Sequence, residues 1–253
     1  MPVGPSLSYV GGPTALIEWS GARLLTDPTL DPAGTEYATP AYTLRKTMGP
    51  ALGADALLPL DAVLLSHDHH FDNLDHAGRR LLSQAGRVFT TTEGAARIGR
   101  EPGLAPWQTA SLDTSSGTPL RVTATPARHG PSHADRGPVI GFVVEGPGGA
   151  IYLSGDTVWY EGVAEVAARF RVRSAVLFMG AARVAAAGDW PLTFTGEDAV
   201  SAARAFAGAA IVPLHFEGWA HFSESRAQIE RAFATAGLAD RLRWPPPGIP
   251  IRI

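Results

Sequence analysis

The eight histidines of this 253-residue chain fall into three groups: His67, His69, His70 and His76; His129 and His133; His215 and His221. The first group reads Ser66-His67-Asp68-His69-His70-Phe71-Asp72-Asn73-Leu74-Asp75. Imidazole and carboxylate together are ligands for divalent metal ions. At this density they make poor core material, because each costs free energy if it is buried without a partner. A solvated polar loop accounts for any one of these histidines. It accounts less well for so many held between an apolar strand and a helix start. Further ligand types follow other short apolar runs: His129 after Leu120–Thr125, Asp156 after Ile151–Ser154 and His215 after Ile211–Leu214. Alone, each has an ordinary reading as a surface loop residue, a turn or cap, and a satisfied buried histidine. Ligand-type residues at four strand ends together point to one metal site assembled where sites are commonly built, at the ends of a sheet.

The elements that must position these groups are readable from periodicity. Strands are expected at Ser6–Val10, Thr14–Trp19 and Ala22–Thr26, punctuated by Gly11-Gly12-Pro13 and Ser20-Gly21. Asp61–Ser66 reads as a buried strand. Leu74, Ala77, Leu81, Leu82 and Ala85 then form one helical face, with Asp72 as its cap and Gly86 as its end. Strands follow at Val88–Thr91, Leu120–Thr125, Val139–Val144, Ile151–Ser154, Ala175–Met179 and Ile211–Leu214. Helices are expected through Val163, Val166, Ala167 and Phe170, from Thr195 to about Ala207, and after a Ser223 cap with Ile229, Ala232, Phe233 and Ala236 inward. Residues 27–54 lack periodicity and are longer than an ordinary loop, which marks them as functional or packed over a site. The order fits one domain over residues 1–253, a two-sheet sandwich flanked by helices.

Composition narrows the function classes. The absence of cysteine excludes disulfides, thiolate nucleophiles and cysteine metal sites. A net charge of −3 without a basic block argues against nucleic acid as a partner. No apolar run approaches a membrane span and no export signal is evident, so a cytoplasmic protein without integral membrane association is expected. The 28 glycines and 21 prolines imply many loops and disfavour a pure helix bundle.

Together these residues resemble the metallo-β-lactamase fold superfamily, in the branch of ascorbate 6-phosphate lactonase and N-acylphosphatidylethanolamine phospholipase D. Gly12–Glu18 and Leu24–Pro28 are similar to the first hairpin of that branch, Ser66–Asp75 to its His-x-His-x-Asp-His motif, and His129, Asp156 and His215 to its later ligands. The resemblance implies an αββα four-layer sandwich with two mixed sheets flanked by helices. It also implies a metal-bound hydroxide acting on a small-molecule ester, lactone or phosphodiester. In that scheme His67, His129 and either His69 or His70 hold one ion; Asp72 and His215 help hold a second, and Asp156 bridges. Asp72 orients the hydroxide and carries its proton, while His221 and His133 are candidates for oxyanion stabilisation or leaving-group protonation. Zinc is the default ion, one or two in number, and manganese or iron also suits a nitrogen and hard-oxygen donor set.

Two departures from the motif matter. Asn73 stands where the family has histidine, and one extra residue separates His67 from Asp72. Counting forward from His67 selects His69; counting back from Asp72 selects His70 and puts Asp68 in the first ligand slot. These departures also support an alternative, a non-catalytic metal-binding scaffold. Asp27 is expected either to accept a hydrogen bond from a ligand histidine or to be a turn residue. Trp159, Tyr160, Trp190, Trp219 and Phe222 are read as packing residues or as walls of a cleft.

Overall fold

The computed structural model describes residues 4–100 and 102–253. Fourteen strands are seen among these residues: β1 (Ser6–Gly11), β2 (Thr14–Trp19), β3 (Ala22–Thr26), β4 (Glu36–Ala38), β5 (Thr43–Arg45), β6 (Leu60–Leu64), β7 (Ala85–Phe89), β8 (Thr109–Leu112), β9 (Leu120–Pro126), β10 (Ile140–Gly146), β11 (Gly149–Leu153), β12 (Ser174–Phe178), β13 (Ala210–Leu214) and β14 (Pro250–Arg252). Six α-helices accompany them: α1 (Ala54–Leu57), α2 (His76–Leu81), α3 (Thr92–Ile98), α4 (Glu161–Arg169), α5 (Gly196–Ala205) and α6 (Arg226–Thr235).

The strands form two six-stranded mixed sheets, in the orders β14-β1-β2-β3-β6-β7 and β13-β12-β11-β10-β9-β8. Side-chain alternation along each strand divides its residues between two faces. Ala62 and Leu64 of β6 meet Phe142 and Val144 of β10 in the core between the sheets. Val63, one residue away, packs outward on Leu57, Leu74 and Leu81. Val143 and Tyr152 pack outward from the second sheet, on Val163 of α4, Ala199 of α5 and Ile229 and Phe233 of α6. This is the helix–sheet–sheet–helix layering that the sequence implied.

Strand direction fixes where the site can be. β3, β6 and β7 run parallel. In the other sheet β9 and β11 flank the antiparallel β10, so they share a direction, and β12 and β13 continue parallel to β11. Asp27, Ser66, His129, Asp156 and His215 all lie just past the carboxyl ends of these strands. Gly155, in the left-handed region at φ +59, permits the close approach there: a Cβ would lie 2.6 Å from the Ile140 carbonyl and 2.9 Å from Ser66 Cβ.

Several local expectations need correction. α2 begins at His76 and is capped by Asp75, whose carboxylate accepts from Gly78 N, and not by Asp72. It ends at Leu81 in a short 3₁₀ turn, and Gly86 belongs to β7. α6 is capped by Ser225 through a box with Gln228; Ser223 instead donates to the Ala181 carbonyl. The segment after β3 is not irregular throughout, since β4 and β5 pair as a hairpin within it.

Candidate metal centre

The Ser66–Asp75 segment leaves β6 as a loop that folds back on itself, with Asn73 N and Leu74 N donating to the His70 carbonyl. This turn brings His67 and His70 side by side, with His67 Nε2 2.9 Å from His70 Nδ1. His129 joins them from the end of β9, its Nε2 3.2 Å from the same His70 Nδ1. The outer nitrogens determine the tautomers. His129 Nδ1 lies 2.8 Å from the Leu192 carbonyl, which only accepts, so Nδ1 carries a proton and Nε2 is the nitrogen left facing the other rings. Ser66 Oγ donates to Asp27 Oδ1 at 2.7 Å, so the Nδ1 of His67, 2.8 Å from that hydroxyl, must donate to it. In the neutral ring, Nε2 of His67 then presents a lone pair. Three ring nitrogens converge, with His67 Nε2 and His129 Nε2 both facing His70 Nδ1. Burial, reinforced by the neighbouring rings, pushes the His67 imidazole well below its usual pKa and brings His70 down to about 3. Both rings are neutral, the form that binds a cation.

Asp72, Asp156 and His215 form a second group beside the first. His215 Nε2 lies 3.5 Å from Asp156 Oδ1 and 3.6 Å from Asp72 Oδ2, and Asp156 Oδ2 lies 3.5 Å from His129 Nε2. Burial raises the carboxyl pKa values, but the histidines win: His215 and His221 hold Asp72 well below its usual range, and His215 does the same for Asp156. Burial pushes His215 down; Asp156 and Asp72 reverse this and lift it to about 9. His221 donates from Nε2 to Asp72 Oδ2 at 2.9 Å. Asn73 sits fully buried and donates from Nδ2 to Asp156 Oδ1 at 3.3 Å.

The donor atoms fit a divalent ion. Within each of the trios His67–His70–His129 and Asp72–Asp156–His215, the ligand atoms lie within 4.8 Å of one another. Asp156 Oδ2 and both ring nitrogens of His215 are buried without a hydrogen-bond partner. Separations of 3.5–3.6 Å are too long for good hydrogen bonds. They match two atoms that share one ion, because ligands about 2.0–2.2 Å from a tetrahedral centre lie roughly 3.3–3.6 Å apart. Orphaned buried polar atoms are costly, and a cation between them removes that cost.

Other sequence candidates lie elsewhere. His69, next to His70, points away and meets the Arg136 carbonyl through Nε2 at 2.9 Å. Asp68 is held by Arg97, whose Nε lies 2.9 Å from Oδ2. Asp27 does not reach a histidine directly: it accepts from Ser66 N and Oγ, and Ser66 relays to His67. His133 stacks edge-on against Trp190, 4.7 Å between centroids, outside the centre. Of the five aromatics considered, none lines the cavity over the centre. Trp219 packs on Tyr37, Phe222 sets its edge against His215, and Trp159 and Tyr160 pack against the helix-side core.

That cavity, about 20 Å³, is lined by His70, Asp72, His129 and His221 of the candidate centre together with Tyr42, Leu44, Arg136, Ala182, Val184 and Leu192. It has room for about one water. Tyr42 and Leu44 come from the β4–β5 hairpin, which periodicity alone did not reveal. The two three-residue strands carry too little alternation to stand out from a Pro- and Thr-rich stretch.

An αββα sandwich with a histidine–carboxylate centre at the carboxyl ends of its strands defines a metallohydrolase-type scaffold. The model of the Beta-lactamase superfamily domain matches residues 22–216, and this chain belongs to that family. The UPF0173 protein YddR of Bacillus subtilis is 24% identical over 96% of this chain and 98% of its own length. The UPF0173 metal-dependent hydrolase PAE2160 of Pyrobaculum aerophilum is 23% identical over 83% of each chain. Among solved structures, the isothiocyanate hydrolase from Delia radicum gut bacteria superposes with a TM-score of 0.81 at 23% identity, covering 98% of both chains. Among the described residues, no helix is long and apolar enough to cross a membrane.

Proposed function

We propose that this chain works as one domain, a metal-dependent hydrolase of a small ester, lactone or phosphodiester. The observation that carries this reading is the convergence of three imidazoles beside two buried carboxylates and a histidine with unpartnered nitrogens. His67, His70 and His129 would hold one ion; Asp72 and His215 would hold a second, with Asp156 between the two. Zinc is the default for this donor set, and manganese or iron also suits it. A bound ion supplies an acidified water, with its pKa lowered towards ~7, and polarises the bond under attack. Asp72 is kept anionic by its histidine neighbours and lines the cavity, which suits it to orient water and accept a proton. His221 steers that carboxylate through its Nε2 proton and itself lines the cavity. A cytoplasmic site of action belongs to the same proposal and is tested by cell fractionation.

The decisive experiment combines metal analysis with a panel of chromogenic esters, lactones and phosphodiesters. An isothiocyanate joins the panel because of the structural relative's substrate. Turnover of at least one substrate is expected, lost on chelation and restored by zinc. His129→Ala and His215→Ala should each reduce both bound metal and rate while the protein stays folded. A fully metallated protein that turns over nothing, with chelation shifting only its melting temperature, would establish the metal-binding scaffold instead.

A further inference from the structure

The cavity roof contains a cation with no counter-ion. Arg136 is half-buried, and among the described residues no carboxylate pairs with it; its one side-chain hydrogen bond runs from Nη2 to Tyr42 Oη at 3.5 Å. An arginine brought out of bulk water without a carboxylate retains several unused donors in a fixed planar fork. The backbone holds it in place from both sides of the candidate centre. Arg136 N donates to the His129 carbonyl at 2.9 Å, and the Arg136 carbonyl accepts from His69 at 2.9 Å. The extra histidine of the motif thereby anchors the arginine.

Tyr42 is fixed just as firmly from the opposite side. At the tip of the β4–β5 hairpin, Thr39 Oγ1 donates to the Tyr42 carbonyl at 2.7 Å and accepts from Tyr42 N at 3.0 Å. Thr39 N donates to the same carbonyl at 2.9 Å. Among the described residues no hydrogen bond takes the phenol proton. The remaining roof, Leu44, Ala182, Val184 and Leu192, is apolar.

We propose that Arg136 and Tyr42 are the substrate-recognising residues of this site, and that they take an oxyanion carried by the substrate. The inference rests on the hydrolase reading above and narrows it to anionic substrates with a compact apolar part. The roof contact is long, and a phosphoryl or carboxylate group replaces it by accepting from both side chains at once, the geometry for which guanidinium is suited. The cavity holds only about one water while the contact is made, so Tyr42 and Arg136 part as the anion enters.

The test uses zinc-loaded full-length protein, with inorganic phosphate and acetate as calorimetric probes. Arg136→Gln should weaken phosphate binding about tenfold or more, Arg136→Lys less, and Tyr42→Phe by about threefold to tenfold. Zinc content and melting temperature should stay at wild-type values in all three, since the anchoring bonds are made by backbone. Tighter binding of phosphate than of acetate marks a phosphoryl substrate; the reverse order marks a carboxylate. With bis(p-nitrophenyl) phosphate and the neutral p-nitrophenyl acetate, the loss in Arg136→Gln should be a raised KM confined to the anionic substrate. Wild-type protein that binds neither probe, or Arg136→Gln and Tyr42→Phe variants that bind as wild type does, would overturn the inference. Arg136-dependent anion binding without any turnover would uphold it and reject the hydrolase reading. Turnover indifferent to both residues would do the opposite.

Discussion

His69 and His70 are adjacent in sequence and face opposite tasks: His70 Nδ1 lies between His67 and His129, whereas His69 Nε2 donates to the Arg136 carbonyl. The turn that places Asn73 N and Leu74 N on the His70 carbonyl rotates one ring inward and leaves the other at the rim. His70→Ala should therefore lose bound metal, and His69→Ala should retain it. Metal content per chain after exhaustive dialysis separates the two. Equal loss in both variants would show that the rim ring also ligates.

The Ser66 hydroxyl joins Asp27 to His67 and sets which nitrogen of His67 is free. Removing it leaves the His67 proton unfixed and strips one partner from Asp27, a carboxyl whose pKa is already raised well above normal by burial. Outer partners of this kind typically contribute 10–100-fold in metal affinity. Ser66→Ala is expected to weaken zinc binding by roughly that factor with little change in the fold. Competition against a chromophoric chelator measures it, and unchanged affinity would remove Ser66 from the centre.

Much of this arrangement was legible in the sequence, and the limits were physical. Ten strands are visible because buried strands must be apolar and Gly or Pro marks their ends. His129, Asp156 and His215 are visible because each follows such a run. The choice between His69 and His70 was not, since one residue of slack in a loop changes which ring turns inward and no periodicity records it. The roof was equally hidden: Tyr42 and Arg136 are ordinary loop residues until Thr39 and the His69–Arg136 bond fix them. The capping errors have a similar cause. Asp72 and Asp75 are equivalent caps by composition, and tertiary demand for Asp72 at the centre leaves the helix to Asp75.

Asn73 stands where the family motif has a histidine, and it supplies a donor to Asp156. Asn73→Asp replaces that donor with a third carboxylate in a dry site, beside a residue that is fully buried. The metal-free variant should be destabilised by about 3–5 kcal/mol, the usual consequence of an uncompensated buried charge. Added zinc should recover most of the loss, because a cation neutralises the excess charge. Melting curves with and without zinc test this. A deficit that zinc does not relieve would mean that Asn73 lies outside the ion's reach.

Lys46 and Asp75 form an ion pair, Nζ to Oδ2 at 2.9 Å, with side chains only 3% and 0% exposed. The pair ties the hairpin segment to the start of α2, where Asp75 also receives Gly78 N and Asp31 N. Breaking a buried pair from one side costs about 3–5 kcal/mol. Because those two amides still serve Asp75, Lys46→Met should fall at the lower end, near 3 kcal/mol, which for a chain of this size is roughly 6–12 °C in melting temperature. The deficit should also depend on pH. Burial lowers the Lys46 pKa from 10.5 and outweighs the opposing pull of Asp75 and Asp31, so the folded state releases the proton more readily than the unfolded chain. Between the lowered folded value and 10.5 the unfolded chain binds more protons, and wild-type stability gains with rising pH relative to a variant that lacks the amine. Urea unfolding of both proteins across the alkaline range should show the gap widening up to about 10.5 and then levelling. A gap that narrows as pH rises would mean that the attraction of Asp75 and Asp31 exceeds the effect of burial, which reverses the sign of the Lys46 shift.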